Sequence, residues 1–75
     1  MGKGIVSQDL PGIGTRYDVD LGSRSQRLSI VVRRDGVRDL YIFTSGSDDP
    51  VAVIELTDEQ ARKVGALLVG TYFAD

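Results

Sequence analysis

The dipeptide Asp35-Gly36, set between two β-rich runs, constrains this chain more than any other feature. Leu28 to Arg34 precedes it and Val37 to Phe43 follows it. A type I′ turn needs φ > 0 at both central positions, which Asp-Gly accommodates, so the pattern predicts a β-hairpin. Two registers are open. A two-residue loop pairs Val32 with Asp39 and Ile30 with Tyr41. One extra bulge residue aligns Leu28 with Ile42 and Ile30 with Leu40, and this register is favoured because it gathers the aliphatic side chains on one face.

The flanking segments supply the other elements. Ile13, Thr15, Tyr17, Val19 and Leu21 alternate with Gly14, Arg16, Asp18 and Asp20, as in a strand with one face on a core and one in water. Before it, Ser7-Gln8-Asp9 reads as a polar lead-in and Pro11-Gly12 as a type II turn. Gly22 to Gln26 and Thr44 to Pro50 read as loops. Val51 to Leu56 is a short strand, apolar on both faces and therefore expected to be covered on both. Thr57 opens a helix, because Thr57 and Gln60 fit a capping box and Asp58 and Glu59 suit the positive end of the dipole. Those two acids also lie four residues before Arg62 and Lys63. Ala61, Val64, Gly65 and Leu68 form the expected apolar stripe, and Gly70 the stop. The fold expected is α+β: one domain over residues 1–75, a small antiparallel sheet of about four strands with one C-terminal helix packed on it.

Composition narrows the chemistry. A chain of 75 residues buries only ~60% of the surface its unfolded form exposes. It contains neither cysteine nor histidine. That removes disulfides, thiolate metal sites, His-based nucleophile activation and the usual neutral-pH proton shuttle. Asp18 and Asp20 share a strand face about 7 Å apart, but no pocket is legible to tune them, and they read as the solvated half of a strand. Asp48-Asp49, near Asp58-Glu59, reads as an acidic loop, since the offsets of a calcium loop are missing. Gly12-Ile-Gly14 precedes a strand and lacks a helix behind it, so it is a turn and no dinucleotide fingerprint. Neither an enzyme nor a cofactor is expected. The longest uncharged run, Val64 to Ala74, has 11 residues, whereas a bilayer helix needs about 20. Met1 to Val6 has no apolar signal-peptide core. A cytoplasmic domain without direct membrane insertion is expected.

Charge is segregated along the chain. From Ser23 to Arg38 stand five arginines and one acid, a net charge of +4; from Asp39 to Glu59 stand six acids and no base, −6. Docking to an acidic protein surface, self-association through opposite charges, or lying beside an anionic leaflet would each use this pattern. So would a solvated hairpin tip that discourages edge pairing. Nucleic-acid binding through the basic hairpin is the alternative function, although no reading motif or interleaved stacking aromatics support it. The final helical turns, Val64 to Val69, are apolar almost all round, which calls for a covering surface.

The strings Leu10-Pro-Gly-Ile-Gly-Thr-Arg-Tyr17, Arg33-Arg-Asp-Gly-Val-Arg-Asp-Leu-Tyr-Ile-Phe43, Leu56-Thr-Asp-Glu-Gln-Ala61 and Gly65-Ala-Leu-Leu-Val-Gly70 follow one another across the chain. Together they resemble the N-terminal domain of the regulatory subunit of bacterial cation/proton antiporters, the KhtT type. Val37 stands where that family commonly has arginine, Asp39 replaces its usual glutamate, and Val69 the first of its paired glycines. The resemblance implies a dimeric subunit on the cytoplasmic side of the inner membrane that restrains or releases potassium/proton exchange by contact with a membrane antiporter. The family's usual second half, a TrkA-C (RCK-C) domain that senses cyclic di-AMP or a related signal, has no counterpart within residues 1–75. What carries over is docking or pairing. Arg33, Arg34 and Arg38 are the contact residues expected from charge, and Leu67, Leu68, Tyr72 and Phe73 those expected from exposed apolar surface. Charge reversal at Arg33 and Arg34 together is expected to spare folding and to weaken partner binding in a salt-dependent way.

Overall fold

The computed structural model describes residues 4–22, 26–44 and 48–71. Five strands, β1 (Ile5–Leu10), β2 (Gly14–Asp20), β3 (Arg27–Arg33), β4 (Arg38–Phe43) and β5 (Ala52–Leu56), precede one helix, α1 (Asp58–Val69). The strands form one antiparallel sheet in sequence order, β1-β2-β3-β4-β5. The α+β architecture is the expected one, with one strand more than the sequence suggested. That strand is β1, whose Ser7, Gln8 and Asp9 were expected to form a lead-in. It pairs with β2 from Ile5↔Val19 to Leu10↔Gly14. Backbone pairing at a sheet edge does not require apolar side chains, so the polar stretch gave no strand signal.

The turns are those the sequence encodes. The Ile13 amide donates to the Leu10 carbonyl at 2.9 Å, closing the Pro11-Gly12 turn, with Gly12 at φ 79°. At Asp35-Gly36 the hairpin takes the bulged register, with Leu28↔Ile42 and Ile30↔Leu40. The Arg33 amide donates to the Val37 carbonyl at 2.9 Å and the Gly36 amide to the Arg33 carbonyl at 3.0 Å. The two turns then lock together, because the Arg34 amide donates to the Ile13 carbonyl at 2.8 Å. Gly14 makes this approach possible: a Cβ there would overlap the Val32 carbonyl oxygen and come within 2.8 Å of the Arg33 Cα.

Register assigns every side chain to a face. Tyr17, Val19, Leu28, Ile30, Val32, Leu40, Ile42 and Ile54 share one face, the apolar one. Arg16, Asp18, Arg27, Ser29, Val31, Arg33, Asp39, Tyr41, Phe43 and Glu55 share the other. The burial is the reverse of the usual arrangement. Ser29, Val31 and Phe43, the buried residues among those described, all lie on the polar face, and none of the apolar-face residues is fully buried. Long charged side chains lay their methylene stems over the polar face and cover it.

The helix forms as its caps dictate. Thr57 accepts from the Gln60 amide at 3.1 Å, the Gln60 side chain accepts from the Thr57 amide at 2.9 Å, and Gly70 ends the helix in a left-handed conformation. Its placement differs from expectation. Among the strands α1 approaches β5 most closely, and none of its residues is buried. Leu68, expected on the inward stripe, is 81% exposed, while Ala61, Gly65 and Ala66 are half-buried. A stripe of alanine and glycine offers little side chain with which to grip a sheet. The strand β5 likewise departs from the expected cover on both faces, since it is an edge strand with Val53 and Ile54 exposed.

Candidate functional site

The hairpin arginines divide into engaged and unengaged groups. Arg33, at the end of β3, points onto the polar face toward the acids of the neighbouring strands. Its Nη2 lies 2.7 Å from Asp35 Oδ2, and its Nη1 lies 3.0 Å from Glu55 Oε2 and 3.6 Å from Asp39 Oδ2. The hydrogen bond to Asp35 is the main cause that raises the Arg33 pKa, and burial opposes it only in part. Asp35 is held below the usual carboxylate range, chiefly because its Oδ1 accepts from the Val37 amide at 3.0 Å. Arg38 emerges on the apolar face. It donates to the Gly36 carbonyl and forms a 3.0 Å ion pair with Asp58 in the first turn of α1. Asp58 also receives Arg62 Nε at 2.8 Å, and this hydrogen bond is the leading cause of its lowered pKa. Arg34 is exposed, and its side chain has no ion-pair partner among the described residues. Two arginines of the cationic run, Arg33 and Arg38, are therefore engaged by acids from the acidic run that follows it, Asp39 and Glu55 for the first and Asp58 for the second. Reversal at Arg33 would set a new carboxylate against three existing ones, so Arg34 alone is the clean probe of a docking charge.

The second expected surface is partly in view. Leu67 is 51% exposed, Leu68 81% and Val69 71%, which makes the end of α1 an apolar knob. Ile54 on the sheet's apolar face and Val53 on its other face are exposed as well. Tyr72 and Phe73 lie outside the described residues.

A third constellation escaped sequence reasoning. At the centre of the polar face, Asp18 Oδ1 accepts from Arg16 Nε at 3.0 Å and from the Ser29 hydroxyl. Burial pushes the Asp18 pKa up, but the hydrogen bonds from Ser29 and Arg16 and the nearby charges of Arg16 and Arg27 outweigh it, leaving the carboxyl below its ordinary value. Asp18 is thus a structural anion and not a solvated one. Beside it, the Arg27 guanidinium stacks 4.3 Å from the Phe43 ring centroid. Arg16, Arg27, Ser29 and Phe43 border a cleft of about 480 Å³ between β1, the sheet and the segment through Pro50. The available signal was Ser29, a small polar residue in the middle of β3, on the face opposite Leu28 and Ile30. Among the described residues no group of three or more acids is placed to hold a metal ion, and no helix is long and apolar enough to cross a membrane.

An antiparallel sheet flanked by one capped helix, with paired charges at the hairpin and exposed aliphatic side chains on the helix, defines a small α+β domain. The particular family follows from comparison: residues 4–72 match the family described as "K(+)/H(+) antiporter subunit KhtT, N-terminal domain", and the chain belongs to it. It is similar to the K(+)/H(+) antiporter subunit KhtT of Bacillus subtilis strain 168, with 33% identity over 70 residues, 92% of this chain and 42% of that protein. It is also similar to the ammonium/H(+) antiporter subunit AmhM of Alkalihalophilus pseudofirmus, with 33% identity over 67 residues, 88% of this chain and 40% of that protein. An uncharacterised Bacillus subtilis protein, YrvC, is 35% identical over 67 residues, again 88% of this chain and 40% of that protein. The chain thus spans about two fifths of the length of these relatives.

Proposed function

We propose that this domain is the docking module of a cation/proton antiporter, acting by protein–protein contact with the membrane subunit and by pairing with a second copy of itself on the cytoplasmic side of the inner membrane. Membership of an antiporter-subunit family supports the setting. The observation that carries the mode of action is the distribution of apolar surface. Leu67, Leu68 and Val69 stand exposed together at the end of α1, and the sheet's aliphatic face contains no fully buried residue. Contiguous apolar surface of this kind marks interaction sites in folded proteins. Arg34, with no ion-pair partner among the described residues, supplies a cation for steering and register. The alternative, nucleic-acid binding through the hairpin, is weakened because Arg33 and Arg38 already hold carboxylates of this chain.

The decisive experiment is co-purification of the antiporter's membrane subunit with the protein and with its Leu67→Asp/Leu68→Asp variant. Retention by the parent and loss by a folded variant is the expected result. Equal retention by both removes the helix end from the contact surface.

A further inference from the structure

We infer that the cleft on the polar face of the sheet binds a zwitterionic α-amino acid with an apolar or aromatic side chain. The inference rests on the lining of that cleft and not on the docking reading. Three charged groups border it. Arg16 lines the cleft but is already neutralised by Asp18 through the 3.0 Å ion pair. Arg27 and Asp48 also line it, and neither has an ion-pair partner among the described residues. One unpaired cation and one unpaired anion opening on the same cleft match a ligand that carries both charges. A dianion would meet Asp48, and a simple amine would leave Arg27 without an ion-pair partner.

Arg27 is well prepared for a carboxylate. Its guanidinium carbon lies over the Phe43 ring, 4.3 Å from the centroid, and no carboxylate among the described residues occupies its N–H donors, which suit a bidentate contact. Leu10, Val31, Tyr41, Phe43 and Pro50 give the cleft an apolar lining for the ligand's side chain. At about 480 Å³ it falls within the size range of small-molecule sites. Asp18 and Ser29, which is 1% exposed, both accept from the Arg16 guanidinium, at 3.0 and 3.4 Å.

The test is a titration followed by amide chemical shifts, with L-phenylalanine, 3-phenylpropionate, 2-phenylethylamine and inorganic phosphate as the probes. Saturable binding of phenylalanine with a dissociation constant at or below about 1 mM, with shifts at Arg27, Ser29, Phe43 and Asp48, is the expected result. Phenylpropionate and phenylethylamine, each lacking one charge, should bind at least about tenfold more weakly. Arg27→Gln should weaken phenylalanine by a similar factor, and Arg27→Lys, which keeps the charge and the stem, should restore only part of it. Asp48→Asn should weaken phenylalanine and leave phenylpropionate unchanged. No saturation by about 10 mM phenylalanine, shifts confined to α1 or the apolar face, or phosphate or phenylpropionate binding as tightly as phenylalanine would each overturn the assignment, and all three are read on the parent protein.

Discussion

Arg33 and Glu55 meet at 3.0 Å although they belong to strands that are not neighbours, and Asp39 of the intervening β4 lies 3.6 Å from the same guanidinium nitrogen. This bridge across β4 converts the chain's linear charge segregation into local neutrality at the turn end of the sheet. It also separates the hairpin arginines by role: Arg33 holds strands together, whereas Arg34 faces solvent. Arg33→Glu should therefore lower the thermal midpoint, with much of the loss recovered in Arg33→Gln, as read by circular dichroism. Arg34→Glu should leave the midpoint unchanged while weakening association with the antiporter at low salt, and the difference should fade as salt rises.

Phe43 is 7% exposed and carries the Arg27 stack. Truncation to alanine should cost about 3 kcal/mol or more, enough to unfold much of a domain this small. Phe43→Leu keeps most of the volume and should remain folded in urea titrations. Equal losses from both would mean that the ring face, through the stacked cation, matters more than the space it fills.

Gly14→Ala addresses the junction of the two turns. The added Cβ has no room beside the Val32 carbonyl, so β2 and β3 must separate locally or the Arg34-to-Ile13 hydrogen bond must lengthen. A loss of about 1–3 kcal/mol is expected. Faster amide exchange at Arg34 than at Ile30 should locate it.

The helix N-terminus depends on the reciprocal bonds of Thr57 and Gln60. Thr57→Ala should cost about 1 kcal/mol, whereas Leu68→Asp, at an 81% exposed position, should change stability by no more than about 0.5 kcal/mol. Opposite ranking in denaturation would mean that the end of α1 is packed in solution.

Stability should respond to acid and not to neutral pH. Asp18, Asp35 and Asp58 all have folded-state values lowered from 3.8. Their contribution is complete above the unfolded value and is lost as pH falls through the lower folded values. With no histidine in the sequence, the thermal midpoint should be flat from about pH 5 to 8 and decline below about pH 4. Asp18→Asn should flatten that acid limb.

The local features were legible in the sequence because short-range chemistry sets them. Asp35-Gly36 and the pairing of Leu28 with Ile42 follow from turn geometry and the aliphatic pattern. The Thr57–Gln60 box and the Gly70 stop follow from the orphan groups of a helix end. The order of family-like strings likewise pointed to the family that residues 4–72 match.

Tertiary structure alone decided which charges meet and which face is covered. Glu55 stands 22 residues from Arg33 in the chain, and only the β4–β5 pairing brings them together. Asp18 looked solvated by alternation, yet Arg16 of its own strand and Ser29 of the paired β3 both donate to it. The strand β1 forms through backbone hydrogen bonds that its polar side chains do not advertise. Periodicity reports which residues share a face. Which face ends up covered depends on where the helix lands and how far the long side chains reach across their neighbours, and neither is written in any one segment.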